Sequence, residues 1–586
     1  MNKPRPRWTI PTVSLKHGGL YRHRLLLKYD DWQNNQRLEQ LGKEISTHGT
    51  DQRMLFIRST ASSGSTASSG STAVDQRPVI FFRASTGLLR LSQNTAFGLL
   101  ASWGLQLAGV PVIHFVCQAG MSRCVQGTNK NNHLSQPPCA ACIRHSRHLY
   151  AHAQAHAFGY TPNSTLAAKL QGLGTEELAS FTYSDDRPKT LGVIPLGSLV
   201  LPSLRWILRC HHLADDESTR FLLREYILSA YNVATQFAAL LEVSNPQSLV
   251  VFNGIFYPEA VARWVAQPRD LRVITYEVAM RPFTAFFTEG EATAYPIHIP
   301  DDFQLSAAQN ARLDSYLKQR FQGDFSMAGI RFWPEMRDLD EAFLQRAAGF
   351  RQIVPVFTNV IFDTSQVHAN VVFSHMFAWL DTLLEIIRSY PETLFVIRAH
   401  PDEMRASKQS RESVRQWVEQ NRVEQLPNVV FIDSEEYLSS YRLIQRSKFV
   451  LVYNSSIGLE AALMGAPVLC GAKARYTQSV KNTVYPMAYF PQSPEAFREQ
   501  VETFLTADRI DVPPEYAIHA RRFLYFQLYK TALPFGDFLE EHRLPGFVRL
   551  RNFDWRQLSP AQSSTMRILL EGITQGQPFL ISDDTG

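Results

Sequence analysis

At 586 residues the chain is too long for one ordinary hydrophobic core, and its length corresponds to roughly three to four domain equivalents. A composition of 45% hydrophobic and 19% charged residues describes a globular protein, and a formal net charge of +5 is small for this size. That balance gives slight support to an anionic ligand and none to a nucleic-acid binder, because no basic stripe is interleaved with stacking aromatics.

No stretch reaches the roughly 18 uninterrupted apolar residues of a membrane span, and the N-terminus MNKPRPRWTIPTV lacks the apolar region of a signal peptide. These features predict a cytoplasmic protein, or one peripheral to the inner face of a membrane. Residues 1–58 are polar, with a weakly helical segment around Asp31 to Ile45. A Ser/Gly/Thr/Ala tract over 59–73 reads as a flexible linker. DQRMLFIRSTASSG, from Asp51, resembles DQRPVIFFRASTG, from Asp75, as a local duplication in which only the second copy need be a working strand. Residues 1–76 are therefore expected to be a disordered appendage.

From residue 77 the pattern alternates between apolar strand-like runs and helical spacing, which implies a parallel sheet. PVIFF (78–82), VPVIHFV (110–116), SLVVFNG (248–254) and LRVITYE (271–277) are the strands, with helices over 94–108, about 216–243 and 258–266. A second series starts at QIVPVFTN (352–359) and continues through TLFVIRAHP (393–401), NVVFID (428–433) and KFVLVYNSSIGLEAALMGAPVLCGAKARY (448–476). The predicted architecture is α/β, with two Rossmann-like domains facing a cleft: 77–335 as the acceptor domain and 336–512 as the nucleotide domain. Residues 513–586 are expected to cross back onto the first domain or to lie on a membrane surface, with AIHARRFLYFQLYK as a basic, aromatic helix. Packing is favoured, because the basic residues of that helix are few and scattered.

Two constellations can carry chemistry. In RAHPDE (398–403) and NSSIGLE (454–460) a strand runs out into polar residues, so both turns belong to the carboxyl edge of the second sheet, where open α/β sheets bind ligands. His400 and Arg398 can donate to a phosphate. Ser455 and Ser456 stand where a phosphate oxygen would be received, Gly458 opens the helix, and Glu460 is placed to accept from a ribose or sugar hydroxyl. The plainer alternative is that the serines cap a helix and the histidine serves a backbone group. The second constellation is Cys117, Cys124, Cys139 and Cys142, spaced C-x6-C-x14-C-x2-C in a loop of the first domain. Structural zinc, free thiols, and redox or iron–sulfur roles are the alternatives, with His133, His145 or His148 able to replace one ligand. Cys210 and Cys470 read as buried packing residues.

The His-Pro motif, with a downstream Ser-Ser, a G-x-E and a small-G-x-P-V, resembles GT-B glycosyltransferases of bacterial surface polysaccharide synthesis. These include capsule polysaccharide biosynthesis proteins, Kdo transferases and sialyltransferases, with polyglycerolphosphate transferases as more distant relatives. The resemblance covers about 350–490. It implies a nucleotide-sugar donor, CMP-linked among the options, whose phosphate meets His400, Ser455 and Ser456. It further implies a glycan or lipid-linked glycan acceptor, contact with membrane-surface polysaccharide assembly machinery, and transfer without a catalytic metal. Glu277, at the end of LRVITYE, is the leading base candidate, its alternatives being a cap or a partner for Arg281; Asp363 is the second. The acidic pair followed by glycine found in sialyltransferases has only a poor counterpart in Glu289-Gly290-Glu291. Adjacent acids at Asp301-Asp302 and Asp185-Asp186 do not follow strands as a metal-binding pair would. Asn253, Phe256 and Tyr257 are either acceptor contacts or a helix cap with core aromatics, the second being favoured. A glycerophosphate or polyol-phosphate transferase and a non-catalytic glycan-binding protein are the competing functions.

Overall fold

Runs of β-branched and aromatic residues without polar alternation form strands that are buried on both faces, and the helices between them return each strand in the same direction. In a computed structural model, residues 17–61, 77–84, 90–184, 191–322, 337–405, 409–477, 479–480 and 483–582 are described, with first-helix side chains over 23–49. The chain forms two compact units: Met1–Ile207 with Leu213–Thr293 and Lys530–Gly586, and Leu208–His212 with Ala294–Tyr529.

In the first unit, strands Val79–Arg83 (β1), Val112–Cys117 (β2) and Ala155–Phe158 (β3) are followed by a small antiparallel pair, Tyr183–Ser184 (β4) and Val193–Ile194 (β5). Ser248–Phe252 (β6), Arg272–Val278 (β7) and Thr284–Glu289 (β8) complete its strands before the chain leaves the unit. The main sheet runs β8-β7-β6-β1-β2-β3, with the short strand Leu533–Pro534 outside β8. β7, β6, β1, β2 and β3 are parallel, while β8 and Leu533–Pro534 are antiparallel. The strand order reverses at β1, so β1 and β6 flank a topological switch point.

Helix Gln93–Leu107 (α2) is apolar almost all round and buried accordingly, and it is capped by Ser92, which accepts from Thr95 N at 3.2 Å. Gly98 lets it approach the sheet: a Cβ there would stand 2.1 Å from Arg83 Nη2 and 2.6 Å from the Tyr276 hydroxyl. Arg83, at the end of β1, donates to that hydroxyl at 2.7 Å, and the hydroxyl donates to Asn94 O at 2.9 Å.

The expected appendage is instead part of this core. Residues 17–61 form one helix (α1), and Leu38, Leu41 and Ile45 are at most 1% exposed in the same cluster as Phe97, Leu100 and Met566. Its polar residues are equally committed. Asp30 is fully buried and pairs with Arg543 at 2.5 Å and Arg549 at 3.2 Å; Asp31 receives both Arg90 nitrogens, and Asn34 Oδ1 accepts from Leu550 N at 2.9 Å. These partners are distant in sequence, so the helix reads as polar when taken alone. The backbone over 51–61 is helical while the second copy of the repeated segment supplies β1, and the tract from residue 62 to 76 lies outside the described residues. Leu41→Ala should cost about 2–5 kcal/mol, read as a lowered denaturant midpoint; an unchanged midpoint would detach α1 from the core.

The second unit holds strands Gln352–Phe357 (β9), Thr393–Arg398 (β10), Val429–Ile432 (β11), Val450–Val452 (β12) and Val468–Cys470 (β13), in the order β11-β10-β9-β12-β13. All are parallel. The boundaries differ from those expected: Ala294–Phe321 and the tail helix Pro514–Tyr525 belong here, and the chain returns to the first unit only from Lys530. The tail helix is held by packing. Its Arg521 donates to Asn310 Oδ1 at 2.8 Å and to Asp314 at 2.7 Å, and Phe523, Leu524 and Tyr525 are buried. Among the described residues, no helix is long and apolar enough to cross a membrane.

Candidate active site

Register across the second sheet aligns Ile432, Arg398, Phe357, Val452 and Cys470 side by side. The turns that leave these strands therefore lie on one carboxyl edge: Ala399-His400 after β10, Thr358-Asn359 after β9, and Tyr453 to Ser456 after β12. The His-Pro and Ser-Ser turns share this edge as the sequence predicts. They are not on neighbouring strands, however, because β9 stands between β10 and β12 and the order reverses at the β9/β12 crevice.

His400 starts a short 3-10 turn, and its Nδ1 accepts from Asp402 N at 3.1 Å. With Nδ1 fixed as an acceptor, the proton of the neutral ring sits on Nε2, which makes Nε2 the donor. Arg398 is 3% exposed and donates to Glu436 O at 3.3 Å, and burial lowers its pKa to about 10. It is cationic at neutral pH but inside the protein, so it serves the edge through its charge rather than as an exposed ligand. Glu403, in the same turn, is 1% exposed and accepts from Val414 N at 3.2 Å; burial, helped by the charge of Asp433, pushes its carboxyl up to about 8.

That shift has a sign. Glu403 titrates near its ordinary value when unfolded and higher when folded. Its contribution to stability is therefore fully present below about pH 4.5 and is lost as pH rises through about 8. Glu403→Gln keeps an acceptor for Val414 and cannot ionise. It should match the wild type near pH 4.5 and exceed it above pH 8 by at most about 5 kcal/mol. Denaturant midpoints that stay parallel across this range would refute the assignment.

Ser456 occupies the N-cap of Ile457–Leu463 without capping it, and its side chain is exposed. The helix-capping alternative therefore fails for this serine. Ser455 is buried, and its carbonyl accepts from the Tyr476 hydroxyl at 2.8 Å. Gly458 makes that contact available: a Cβ there would lie 2.0 Å from the same hydroxyl. Glu460 departs from its expected role. It is 5% exposed, its Oε1 accepts from Arg320 at 2.5 and 2.9 Å, and its Oε2 accepts from Tyr441 at 2.5 Å. Both oxygens are occupied, so it pins Ile457–Leu463 to helix Ala307–Phe321 instead of meeting a hydroxyl.

Other residues at the edge escaped the sequence reading. Asn359 Oδ1 and Gln366 Oε1 are buried with no hydrogen-bond partner among the described residues, while Asn359 N donates to Met376 Sδ and Gln366 Nε2 reaches Asn454 Oδ1 at 3.5 Å. His375, the N-cap of Met376–Ser389, accepts through Nδ1 from Ala378 N at 3.2 Å, so its Nε2 is also a donor. His211 and His212 pack on it, with ring centroids 4.6 to 5.1 Å apart among the three. Glu412 accepts from His211 N at 2.8 Å and pairs with the His212 ring. The Asn-to-Met and His-to-His contacts span up to about 160 residues, which no local motif reveals.

Asp363 Oδ1 closes a turn by accepting from Ser365 N at 2.9 Å. Glu289 pairs with Arg272, Glu291 with Arg263, and Asp301 accepts from Tyr485; Asp185-Asp186 lie outside the described residues. In the first unit, Glu277 is the last residue but one of β7 and is half-buried, accepting from the Asn253 side chain and, through Oε2, from Val278 N at 3.2 Å. Asn253 has φ +60° and turns its oxygen onto Ile255 N, while Tyr257 is fully buried, so Asn253 and Tyr257 follow the capping and core alternative.

The four cysteines line one cavity in that unit. Burial pushes the thiols of Cys117 and Cys124 up to about 12 and that of Cys142 to about 11. Of the alternative ligands, His133 bonds Ser218 at 2.9 Å and burial lowers His145 to about 4. Among the described residues, no three Cys, His, Asp or Glu side chains are gathered into a group that could hold a single metal ion.

Residues 330–479 match the family described as capsule polysaccharide biosynthesis protein, a span of about a quarter of the chain that contains both the His-Pro and the Ser-Ser turns. No curated protein matches the chain. Among solved structures, the beta Kdo 2,4 transferase of Thermosulfurimonas dismutans KpsC is similar at 10% identity over 52% of this chain and 84% of that one, with a TM-score of 0.31. Its beta Kdo 2,7 transferase is similar at 13% identity over 54% and 85%, with a TM-score of 0.30. UDP-GlcNAc 2-epimerase from Neisseria meningitidis, bound to UDP-GlcNAc, is similar at 13% identity over 77% and 99%, with a TM-score of 0.23.

Proposed function

We propose that this protein is a glycosyltransferase that binds the phosphates of a nucleotide-sugar donor at the carboxyl edge of β10, β9 and β12 and passes the sugar to a growing surface glycan. The observation that carries the reading is the shared edge: a His-Pro turn with an Nε2 donor and a Ser-Ser turn with an exposed, uncapping serine stand on either side of the β9 terminus. The match of 330–479 to the capsule polysaccharide family supports it.

In the transfer, the acceptor hydroxyl forms a bond to the anomeric carbon, and the bond from that carbon to the phosphate oxygen breaks. The electron pair leaves with the phosphate and the hydroxyl proton passes to a base. Imidazole donors and the charge of Arg398 stabilise the leaving phosphate, so the rate should not require added divalent metal. Asn359 Oδ1 and Gln366 Oε1, as unfilled acceptors, take ribose or sugar hydroxyls in place of Glu460. Glu277 and Asp363 are the proposed bases, to be separated by the transfer rates of Glu277→Gln and Asp363→Asn.

The test is a thermal-shift panel of CMP-, CDP-, UDP- and GDP-linked compounds on the full chain, followed by product analysis with the stabilising one in EDTA. Stabilisation by one base, with sugar transfer, is expected. Transfer of a polyol phosphate would replace the reading with a phosphoryl transferase, and no shift with any nucleotide would remove it.

A further inference from the structure

Independently of the donor site, we infer that Cys117, Cys124, Cys139 and Cys142 ligate an iron–sulfur cluster of the four-iron, four-sulfide type at the carboxyl edge of the first unit's sheet.

The chain brings the four sulfurs together by local devices. Cys117 ends β2, and Cys124 sits in the turn beyond it. Cys139 and Cys142 are one turn apart at the start of helix Cys139–Leu149 (α3), on one face. All four line the same cavity, of about 20 Å³, whose remaining wall includes Ala84, Met121 and Ile143.

Two of the sulfurs already accept backbone amides. Gly120 N donates to Cys117 Sγ and Gly127 N donates to Cys124 Sγ, each at 3.2 Å. Both are C-x2-G turns, and both glycines are needed for close approach. A Cβ at 120 would stand 2.3 Å from the Phe158 ring, and one at 127 would stand 2.8 Å from Pro137 and 3.0 Å from Cys124 Sγ. Amides aimed at sulfur stabilise thiolates bound to metal and tune iron–sulfur centres.

The loop between the cysteines is built rather than loose. Arg123 is 5% exposed and donates to Ser122 O at 2.8 Å, Leu134 O at 2.9 Å, Gln136 Oε1 at 3.1 Å and His133 O at 3.2 Å. Thr128 ties the next turn to Cys124 O at 2.8 Å and to the Tyr226 hydroxyl at 3.0 Å. A charged side chain spent on loop carbonyls fixes where the sulfurs point.

Spacing selects the cluster over a single ion. Zinc at about 2.3 Å from each sulfur would draw the four to about 4 Å from one another. Among the described residues no such gathering occurs, and the sulfurs ring an apolar-walled cavity. In a cubane each thiolate ligates a different iron, so the four stand further apart around a central body.

The experiment uses the full chain purified without oxygen. The expected result is about four iron and four acid-labile sulfide per chain, with broad visible absorption that bleaches on reduction. Cys139→Ser with Cys142→Ser should lose iron and colour, whereas Cys210→Ser and Cys470→Ser should keep both. Should the double variant fail to fold by circular dichroism, wild-type chain is incubated separately with ferrous iron plus sulfide and with zinc alone, and only the first should give a stoichiometric product. One zinc without sulfide, colour that survives the double substitution, or no metal after both treatments would each overturn the inference.

Discussion

His400→Ala is expected to lower donor turnover by about 100- to 1,000-fold, the range for removing one preorganised donor to a developing negative charge, while the melting temperature changes little. The reason lies in how the ring is held. Its Nδ1 accepts the Asp402 amide, which places the proton of the neutral ring on Nε2. His400→Asn separates the two tasks, since asparagine caps such a turn well and cannot extend a donor to the Nε2 position. It should keep the stability of the wild type and lose turnover as the alanine variant does. Should His400→Asn remain within about threefold of wild-type turnover, the ring is only a cap and the phosphate assignment fails.

The second large effect concerns Arg320 and Glu460. Their side chains are 5% and 7% exposed and 2.5 Å apart. Burial alone would disfavour the arginine's charge, and the glutamate together with Tyr316 and Tyr441 more than offsets this, leaving the Arg320 pKa raised. Removing one partner strands the other's charge. Arg320→Ala or Glu460→Ala should therefore each cost about 3–5 kcal/mol, and Arg320→Met with Glu460→Leu should cost less than either alone. Denaturant midpoints of the three variants decide it. If Glu460→Gln instead abolished a nucleotide-induced thermal shift at unchanged stability, the glutamate would be a hydroxyl contact after all.

The strands were legible because Phe81, Val250, Val356 and Val396 sit in uninterrupted apolar runs, and runs of that kind have few alternatives to a covered parallel sheet. Turn chemistry was legible for the same local reason: His400-Pro401 and Ser455-Ser456 each interrupt a strand with polar atoms. The features that stayed hidden depend on partners far along the chain. Glu460 looks like a free carboxylate one turn into a helix until Arg320, 140 residues earlier, is placed against it. Asn359 reads as a turn residue until the rest of its edge leaves its side-chain oxygen unmatched. Helix α1 reads as polar because its apolar contribution to the core is a single stripe, Leu38, Leu41 and Ile45, and its buried Asp30 finds its arginines only beyond residue 540.

That last arrangement has a consequence for how the protein is made. Helix α1 is synthesised about 500 residues before Arg543, Arg549 and Leu550, which receive its buried polar groups. The outer strand Leu533–Pro534 and the core residues Met566, Leu569 and Ile573 arrive equally late. The second unit's residues 294–529, by contrast, are contiguous and fully synthesised before these partners appear. Domains usually mature from the N-terminus during synthesis. Here the order is inverted: the first unit is begun before the second and completed after it, so while 294–529 are being made Asp30 lacks its arginines and the outer edge of β8 lacks its last strand.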